Sequence, residues 1–569
     1  MVLRLLNMVC LALLLVALSS GLISASTSAQ VISTGSPYLV VPTALDRELV
    51  EAQKANYPDQ DGKELTDGVL APGGSGFTHE AWQGWAKQDR HIVTVDLQEV
   101  CMVTEVSGRF FNFPGAGIYF PEKISVSTSL DGENWEEPQT AMNKFVINSN
   151  IGASREISLE LEEPVRARFV QLEVYVNDWC FIDEVFVKGE RLSEVSADQV
   201  IGLVEIVSRR LGLLGDDSKV GWPQPGTSKV GSARHIALMF FGGLVPDSRQ
   251  LRSIDFLPYV GYVDQNFQVT DAFFDTFLLL PASIRYYGAE GRDFDNAPNP
   301  SIQEDWELYL DQLYKPGFQL DALNSAVQTV NEMTFGDIKA KVIIGIPYPS
   351  PRLNSFGKLP GESKSLNFAG ITTGDGNRFL AVKWFVEEVL TRWEEAELPN
   401  LELIGFYWYQ EDIESRNSTE IFDPVIKNTA DLLHEKGLYF YWIPYYQARG
   451  FRNWQDLGFD VAMMQPNFSF SGLDLSEAEY RLTQAAELAS RYGLGLQMEL
   501  HPDLQNRSMR EKYLAYLEYG TKLGYQNNSV ICYYQGVDDF AKAAFSVDPE
   551  IRYLYDATYK FVKGEQIGD

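Results

Sequence analysis

Eight short apolar runs, separated by longer amphipathic stretches, fill the chain from His235 onward and constrain its fold more than any other feature. The runs are Ile236–Phe241, Phe274–Leu280, Val342–Pro347, Leu403–Tyr409, Tyr439–Ile443, Val461–Gln465, Gly495–Glu499 and Val530–Tyr534. Near-continuous apolarity is expected of strands buried on both faces, as in parallel sheets. Helical periodicity lies between them at Asp305–Leu313, Phe379–Glu394, Pro424–Glu435, Ser476–Arg491 and Met509–Leu523. Eight such units predict a (β/α)8 TIM barrel over residues 233–565. A doubly wound open sheet is the competing arrangement. Against it, the first strand leads into Phe240-Phe241-Gly242-Gly243, a poor substitute for a phosphate-binding loop.

The rest of the chain has a different texture. Residues 1–29 read as a secretory signal, with Arg4 in the n-region, an apolar run from Leu11 to Leu18, and small residues at Ser24-Ala25-Ser26. A secreted, extracellular protein is therefore expected, with no membrane contact beyond the cleaved signal. Residues 30–190 read as all-β, because short runs alternate with period two, as in His91–Leu97, Glu156–Leu161 and Phe169–Tyr175. Such runs bury one face each and suit a β-sandwich. Residues 191–232 form a linker, helical in its first half (Asp198–Val207) and Pro/Gly-rich in Gly221-Trp222-Pro223-Gln224-Pro225-Gly226. The formal charge of −31 argues against nucleic acid or an anionic membrane as partner, since both are polyanions. Cys101 and Cys180 either pair or stand as two buried thiols, and Cys532 reads as core filler.

The all-β region resembles the discoidin, or coagulation factor C-type, carbohydrate-binding domains. The resemblance rests on Glu64-Leu65-Thr66-Asp67-Gly68, Val95-Asp96-Leu97, Ser127 to Trp135, Ala167 to Leu172, and Phe181-Ile182-Asp183-Glu184-Val185. It implies a structural calcium held by Asp67 and Glu184. Without a metal the same residues read as an Asx-turn and a surface charge. Trp82, Trp85, Phe113, Tyr119 and Trp179 are candidates for stacking on sugar rings, weighed against plain core packing.

In the barrel, polar and aromatic residues crowd the C-terminal strand ends, where barrel enzymes build their sites. They include Arg285, Tyr348, Tyr407, Tyr409, Gln410, Trp442, Gln465, Asn467, His501 and Tyr534, a mixture suited to a polyhydroxylated ligand in an extended cleft. Two glutamates end matching strands: Glu411 after the fourth and Glu499 after the seventh. Gly495, Gln497 and Glu499 share one strand face, and a glutamine there points that face into the barrel. Glycosidic cleavage needs two facing carboxyl groups.

Carboxylates at the ends of strands four and seven resemble the large retaining glycoside hydrolase clan built on β/α barrels. The resemblance implies Glu411 as acid/base, Glu499 as nucleophile and Arg285 as an arginine contacting the nucleophile. It departs at Gln410, where the clan usually has asparagine. The barrel as a whole is similar to a bacterial family catalogued as a domain of unknown function. The expectation is a secreted, multidomain glycoside hydrolase acting on a polysaccharide or oligosaccharide, with no cofactor for catalysis. The alternatives are a non-catalytic carbohydrate-binding or adhesion protein, and a polysaccharide lyase using Tyr407, Tyr409 or His501 as base.

Overall fold

The computed structural model describes residues 30–42, 57, 59, 62–86, 90–145, 152–175, 179–194, 203, 220–242, 250–282, 292–295, 298–369, 372–413, 423–446 and 448–566. The chain forms two compact units, with the main division between residues 211 and 212. The expected leader (1–29) and the expected helix at 198–207 lie outside the described residues, Leu203 apart. Among the described residues no helix is long and apolar enough to cross a membrane.

The first unit contains β1 (Gln30–Val31), β2 (Tyr38–Pro42), β3 (Gln83–Ala86), β4 (Arg90–Asn112), β5 (Lys123–Ser129), β6 (Gln139–Met142), β7 (Ala153–Tyr175) and β8 (Trp179–Glu194). They pair antiparallel in the order β1-β8-β4-β7-β5-β6, with β2 added on β4 and β3 on β8. One expected strand is longer than its run, and two others prove to be continuous. His91–Leu97 belongs to the 23-residue β4, and Glu156–Leu161 and Phe169–Tyr175 are both parts of β7. Register shifts between Asp96 and Cys101, and again between Val103 and Glu105, let one long strand bend. One-sided burial holds in the first half of β7, where Ile157 and Leu159 are buried and Glu156, Ser158 and Glu160 are exposed, whereas His91–Val95 and Phe169–Val174 are buried on both faces. Cys101 and Cys180 are buried free thiols, as is Cys532.

The second unit is built on a closed barrel of eight parallel strands: β9 (His235–Phe241), β12 (Thr276–Pro281), β13 (Ala340–Ile346), β14 (Leu401–Trp408), β15 (Tyr439–Trp442), β16 (Val461–Met464), β17 (Gly495–Glu499) and β18 (Ile531–Tyr534). A small hairpin, β10 (Gly261–Val263) with β11 (Val269–Ala272), stands apart from it. Each strand falls within two residues of its expected limits. The helices are α1 (Ser253–Val260), α2 (Gln303–Leu313), α3 (Gln319–Thr334), α4 (Thr372–Glu395), α5 (Pro424–Glu435), α6 (Ala478–Tyr492), α7 (Arg507–Leu523), α8 (Tyr525–Asn528), α9 (Asp539–Ala544) and α10 (Pro549–Val562). The regular alternation fails at one place. Between β15 and β16 the described residues run as turns. Pro444, Gly450 and Gly458 punctuate that segment and give no helical stripe; Gly450 and Gly458 both take positive φ.

Two apolar layers result. Phe406, Trp408, Phe440, Trp442, Val342 and Ile344 point outward into the layer shared with the helices. Ile236, Leu238, Leu278, Ile343, Tyr407, Tyr441, Met463 and Cys532 fill the barrel interior. One irregularity decides which face of β14 is which. The register against β13 slips from Val342↔Leu403 to Ile343↔Gly405, so Ile404 is an extra residue. Downstream of that bulge the odd-numbered residues Tyr407 and Tyr409 turn inward. Gly405 is required there, since a Cβ would lie 2.2 Å from the Tyr439 carbonyl oxygen.

Candidate active site

A cavity of about 310 Å³ opens at the C-terminal ends of the barrel strands, and both glutamates line it. This is near the lower end of ligand pockets, roughly 300–1,000 Å³. The described residues thus enclose a compact pocket where the sequence suggested an extended cleft.

Glu499 ends β17 on the same face as Gln497, which also lines the cavity; the inward parity expected from the sequence holds. Its carboxyl is buried, 1% exposed. The turn after β16 wraps around it. Asn467 adopts φ +50°, a left-handed conformation that asparagine tolerates better than most residues. The N–H groups of Asn467 (3.2 Å), Phe468 (3.0 Å) and Ser469 (3.4 Å) then all donate to Glu499. Successive amides converging in this way form an anion-binding concavity. The Tyr516 hydroxyl, from α7, adds a further donor. Burial raises the Glu499 pKa above the ordinary carboxylate value, and these four donors oppose the rise.

Glu411 sits across the same cavity. The residue is exposed at the rim, while protein surrounds its carboxyl within the concavity. Desolvation, together with the charges of Glu499 and Asp295, pushes its pKa up to about 7, against a hydrogen bond from Gln465. Asp412, the adjacent carboxylate, is engaged elsewhere, since Arg449 binds it through both its backbone N–H (2.7 Å) and its guanidinium (3.0 Å).

The other expected site residues divide. Tyr407, Tyr409, Gln465, Asn467 and Tyr534 line the cavity. The Tyr409 hydroxyl donates to the Pro281 carbonyl (3.1 Å), and Gln465 Nε2 donates to the Ile443 carbonyl (3.2 Å). Tyr348, Gln410, Trp442 and His501 do not line it. Tyr348 follows the outward parity of Ile344 and Ile346; its hydroxyl accepts from Arg378 (3.2 Å) and its ring meets Trp408 edge-on. Trp442 is fully buried in the outer layer, stacked on Phe459 at 5.0 Å, and donates its indole N–H to the Gln410 carbonyl (2.9 Å). Parity explains both departures, because their neighbours Gly345, Tyr441 and Ile443 hold the inward positions. His501 accepts the Asp503 N–H (3.0 Å) and packs on Phe470, just behind the cavity wall. Arg285 lies outside the described residues. Sequence reasoning missed Phe240, Phe470, Gln497 and Tyr516 as site residues. The strand pattern held the signal for Phe240 and Gln497; Tyr516 is indistinguishable in sequence from the apolar stripe of its helix.

The sandwich has its own buried acidic group. Glu184 is fully buried; its Oε2 accepts the Gly68 N–H (3.0 Å), while Oε1 has no hydrogen-bond partner. Asp67 Oδ1 accepts the Val69 N–H (2.7 Å), the Asx-turn geometry. Burial, then the charges of Asp67 and Asp183, push Glu184 up to about 8. An unpartnered carboxylate oxygen beside a second carboxylate and a tight turn is a donor set that fits calcium. Among the described residues no cluster of three or more His, Cys, Asp or Glu side chains could hold a metal ion, so carbonyl oxygens or water would complete the shell. The expected stacking residues are mostly packed away. Trp82 and Trp85 are buried, Trp85 stacked on His91 at 4.6 Å. Phe113 and Trp179 are half-buried beside Tyr57 and Phe77.

Comparison with known proteins follows the same division. Residues 52–185 match the F5/8 type C domain, and residues 236–560 match the family described as Domain of unknown function (DUF4855). The molecule is thus a closed parallel barrel preceded by an F5/8 type C sandwich. As the second match spans more than half of its length, the chain belongs to the DUF4855 family. Similar solved structures include a fucose-binding module of Streptococcus pneumoniae (15% identity, 29% of this chain and 99% of that one, TM-score 0.19). Another is the C-terminal domain of a chitobiase from Bacteroides fragilis (14% identity, 28% and 96%, TM-score 0.20). At those scores the likeness carries no argument about fold or ligand. No curated protein matches the chain.

Proposed function

We propose that the barrel is a retaining glycoside hydrolase acting on a polysaccharide, with Glu411 as acid/base and Glu499 as nucleophile. The observation that carries this reading is that two glutamates far apart in sequence line one cavity at the C-terminal strand ends, in unequal surroundings. Glu411, with proton affinity raised to about 7, suits the acid that must hold a proton near neutrality. Glu499, whose four donors oppose the rise that burial causes, suits the carboxylate that must be held in one orientation for attack.

In this reading Glu411 protonates the glycosidic oxygen as the bond to the anomeric carbon breaks. Glu499 attacks that carbon, giving a glycosyl-enzyme. Water then attacks from the vacated side, losing its proton to Glu411, and the sugar leaves with retained configuration. Phe240, Phe470 and Tyr534 offer apolar faces for a sugar ring. No metal or organic cofactor takes part. The leader implies secretion. The sandwich holds the same or a neighbouring glycan, with a structural calcium on Asp67 and Glu184.

The experiment is to incubate the protein with neutral, amino-sugar and uronic-acid polysaccharides beside Glu411→Gln and Glu499→Gln and to measure new reducing ends. NMR of the first-formed anomer then reads the stereochemistry. Release by wild type, lost in both variants and with retention, is the expected result. One observation favours a second reading, a carbohydrate-binding barrel without turnover: both Glu499 oxygens are already hydrogen-bonded, as in a loop anchor. Binding in all three proteins with no release would establish it. A lyase is less well served, because burial raises the Tyr407 and Tyr409 hydroxyl pKa values well above the ordinary value.

A further inference from the structure

The walls of the barrel cavity are one-sided in their chemistry. Among the described residues, its charged lining consists of Glu411 and Glu499, with no Lys, Arg or His. A carboxylate only accepts hydrogen bonds, and two of them in one concavity repel each other unless a proton or a cation lies between them. The floor adds an independent sign. Gln497 is 3% exposed, sits one inward position below Glu499, and its Oε1 is buried without any hydrogen-bond partner. A buried amide oxygen left unpaired is rare in a folded protein and costly until a donor reaches it. The cavity therefore asks for a ligand that brings positive charge and several N–H donors together.

Neutral sugars bring hydroxyls, which donate and accept alike and carry no charge. Uronic acids bring a third carboxylate and meet no cation among the described lining residues. An N-acetyl group brings one N–H together with a methyl and another acceptor. A protonated amine brings one charge and three donors on a single atom. We propose that the polymer taken by this cavity is built of hexosamines with free amino groups, the ammonium lying against the Glu499 carboxylate and the Gln497 amide and leaving Glu411 to the glycosidic oxygen; this rests on the glycosidase reading above for its catalytic part only.

The test separates ligand class from catalysis. The full chain carrying Glu411→Gln, which keeps Glu499 and Gln497, is titrated calorimetrically with glucosamine and galactosamine oligomers and with their N-acetylated counterparts. Reducing-end release by wild type is measured on the same set. The expected result is binding of a free-amine oligomer about tenfold tighter or more than its acetylated partner, the scale of one charge-assisted hydrogen bond. That preference shrinks severalfold when Gln497→Met is added; Gln497→Leu repeats the test if the methionine variant loses its native circular dichroism. Equal or weaker binding of the amine forms, no binding of any oligomer, or a preference indifferent to position 497 overturns the proposal. Amine preference without release by wild type keeps the ligand class and sinks the hydrolase. Release without amine preference does the reverse.

Discussion

The sandwich and the barrel each bury carboxyl groups, and desolvation is the first cause of the raised pKa in both. Glu184 is pushed up to about 8 and its neighbour Asp183 to about 6. Glu411 is pushed up to about 7. The surroundings differ in access. Glu184 is sealed, with one oxygen on the Gly68 amide and one left over; Asp183 is tied to Arg109 and to the Ala71 N–H (2.9 Å). Glu411 and Glu499 face a cavity that admits a ligand. A perturbed pKa marks desolvation in both places, and only the open site leaves the group within reach of a ligand. The sealed carboxylate can act on stability; the open pair is placed to act on a bound molecule.

The strongest way to break this contrast is to neutralise one carboxylate in each region. Glu411→Gln lowers kcat by about 10²–10⁴-fold, the range for a general acid, while leaving the unfolding midpoint close to wild type. Glu184→Gln leaves kcat within about twofold, since the barrel keeps its lining, a ratio far below the tenfold of a single lost interaction. Loss of activity in the sandwich variant, with the fold intact, would erase the distinction.

Gly405→Ala is the next largest. Its Cβ meets the Tyr439 carbonyl oxygen, so the bulge that turns Glu411 inward has to shift. We expect destabilisation of about 1–3 kcal/mol in urea unfolding, with turnover lost in the surviving folded protein. Normal turnover would show that the bulge does not set the direction of Glu411.

Tyr516→Phe has a smaller effect with a defined sign. The tyrosine hydroxyl opposes the rise in the Glu499 pKa, so its removal raises that pKa further and moves the acid limb of the pH–rate profile upward. An unmoved acid limb with lower thermal stability would make Tyr516 purely structural.

The smallest effect concerns pH and calcium. Glu184 binds its proton more tightly folded than unfolded, so its contribution to stability is present below its ordinary value of 4.5 and is lost as pH rises through about 8. Without metal the thermal midpoint falls by a few degrees across that window, and the fall is shallower in Glu184→Gln. Added calcium flattens it in wild type alone. Identical slopes for both proteins with and without calcium would remove the ion from this site.

How much of this was legible depended on whether a residue's environment was local. Double-sided burial of the barrel strands wrote itself into their composition, so all eight fell within two residues of their observed limits. Gln497 betrayed the inward face of β17, because a carboxamide rarely points into an apolar helix layer. Trp442 and Tyr348 were misread as site residues, although the parity of their own strands places them outward. The turns between β15 and β16 depart from the eight regular units expected, and Pro444, Gly450 and Gly458 are the local reason.

The sequence by itself determined the two-part organisation, the strand count of the barrel, and the positions of Glu411 and Glu499 at the ends of its fourth and seventh strands. These follow from periodicity and burial, which each residue expresses along its own segment. Only the tertiary structure decided that Glu411 faces inward, since that turns on one extra residue at Ile404 in the pairing with β13. It alone brought the amides of 467–469 and the Tyr516 hydroxyl to Glu499, and left Gln497 unpaired on the cavity floor. Those contacts join segments distant in sequence, and no local pattern records which donor a folded chain will bring to which acceptor.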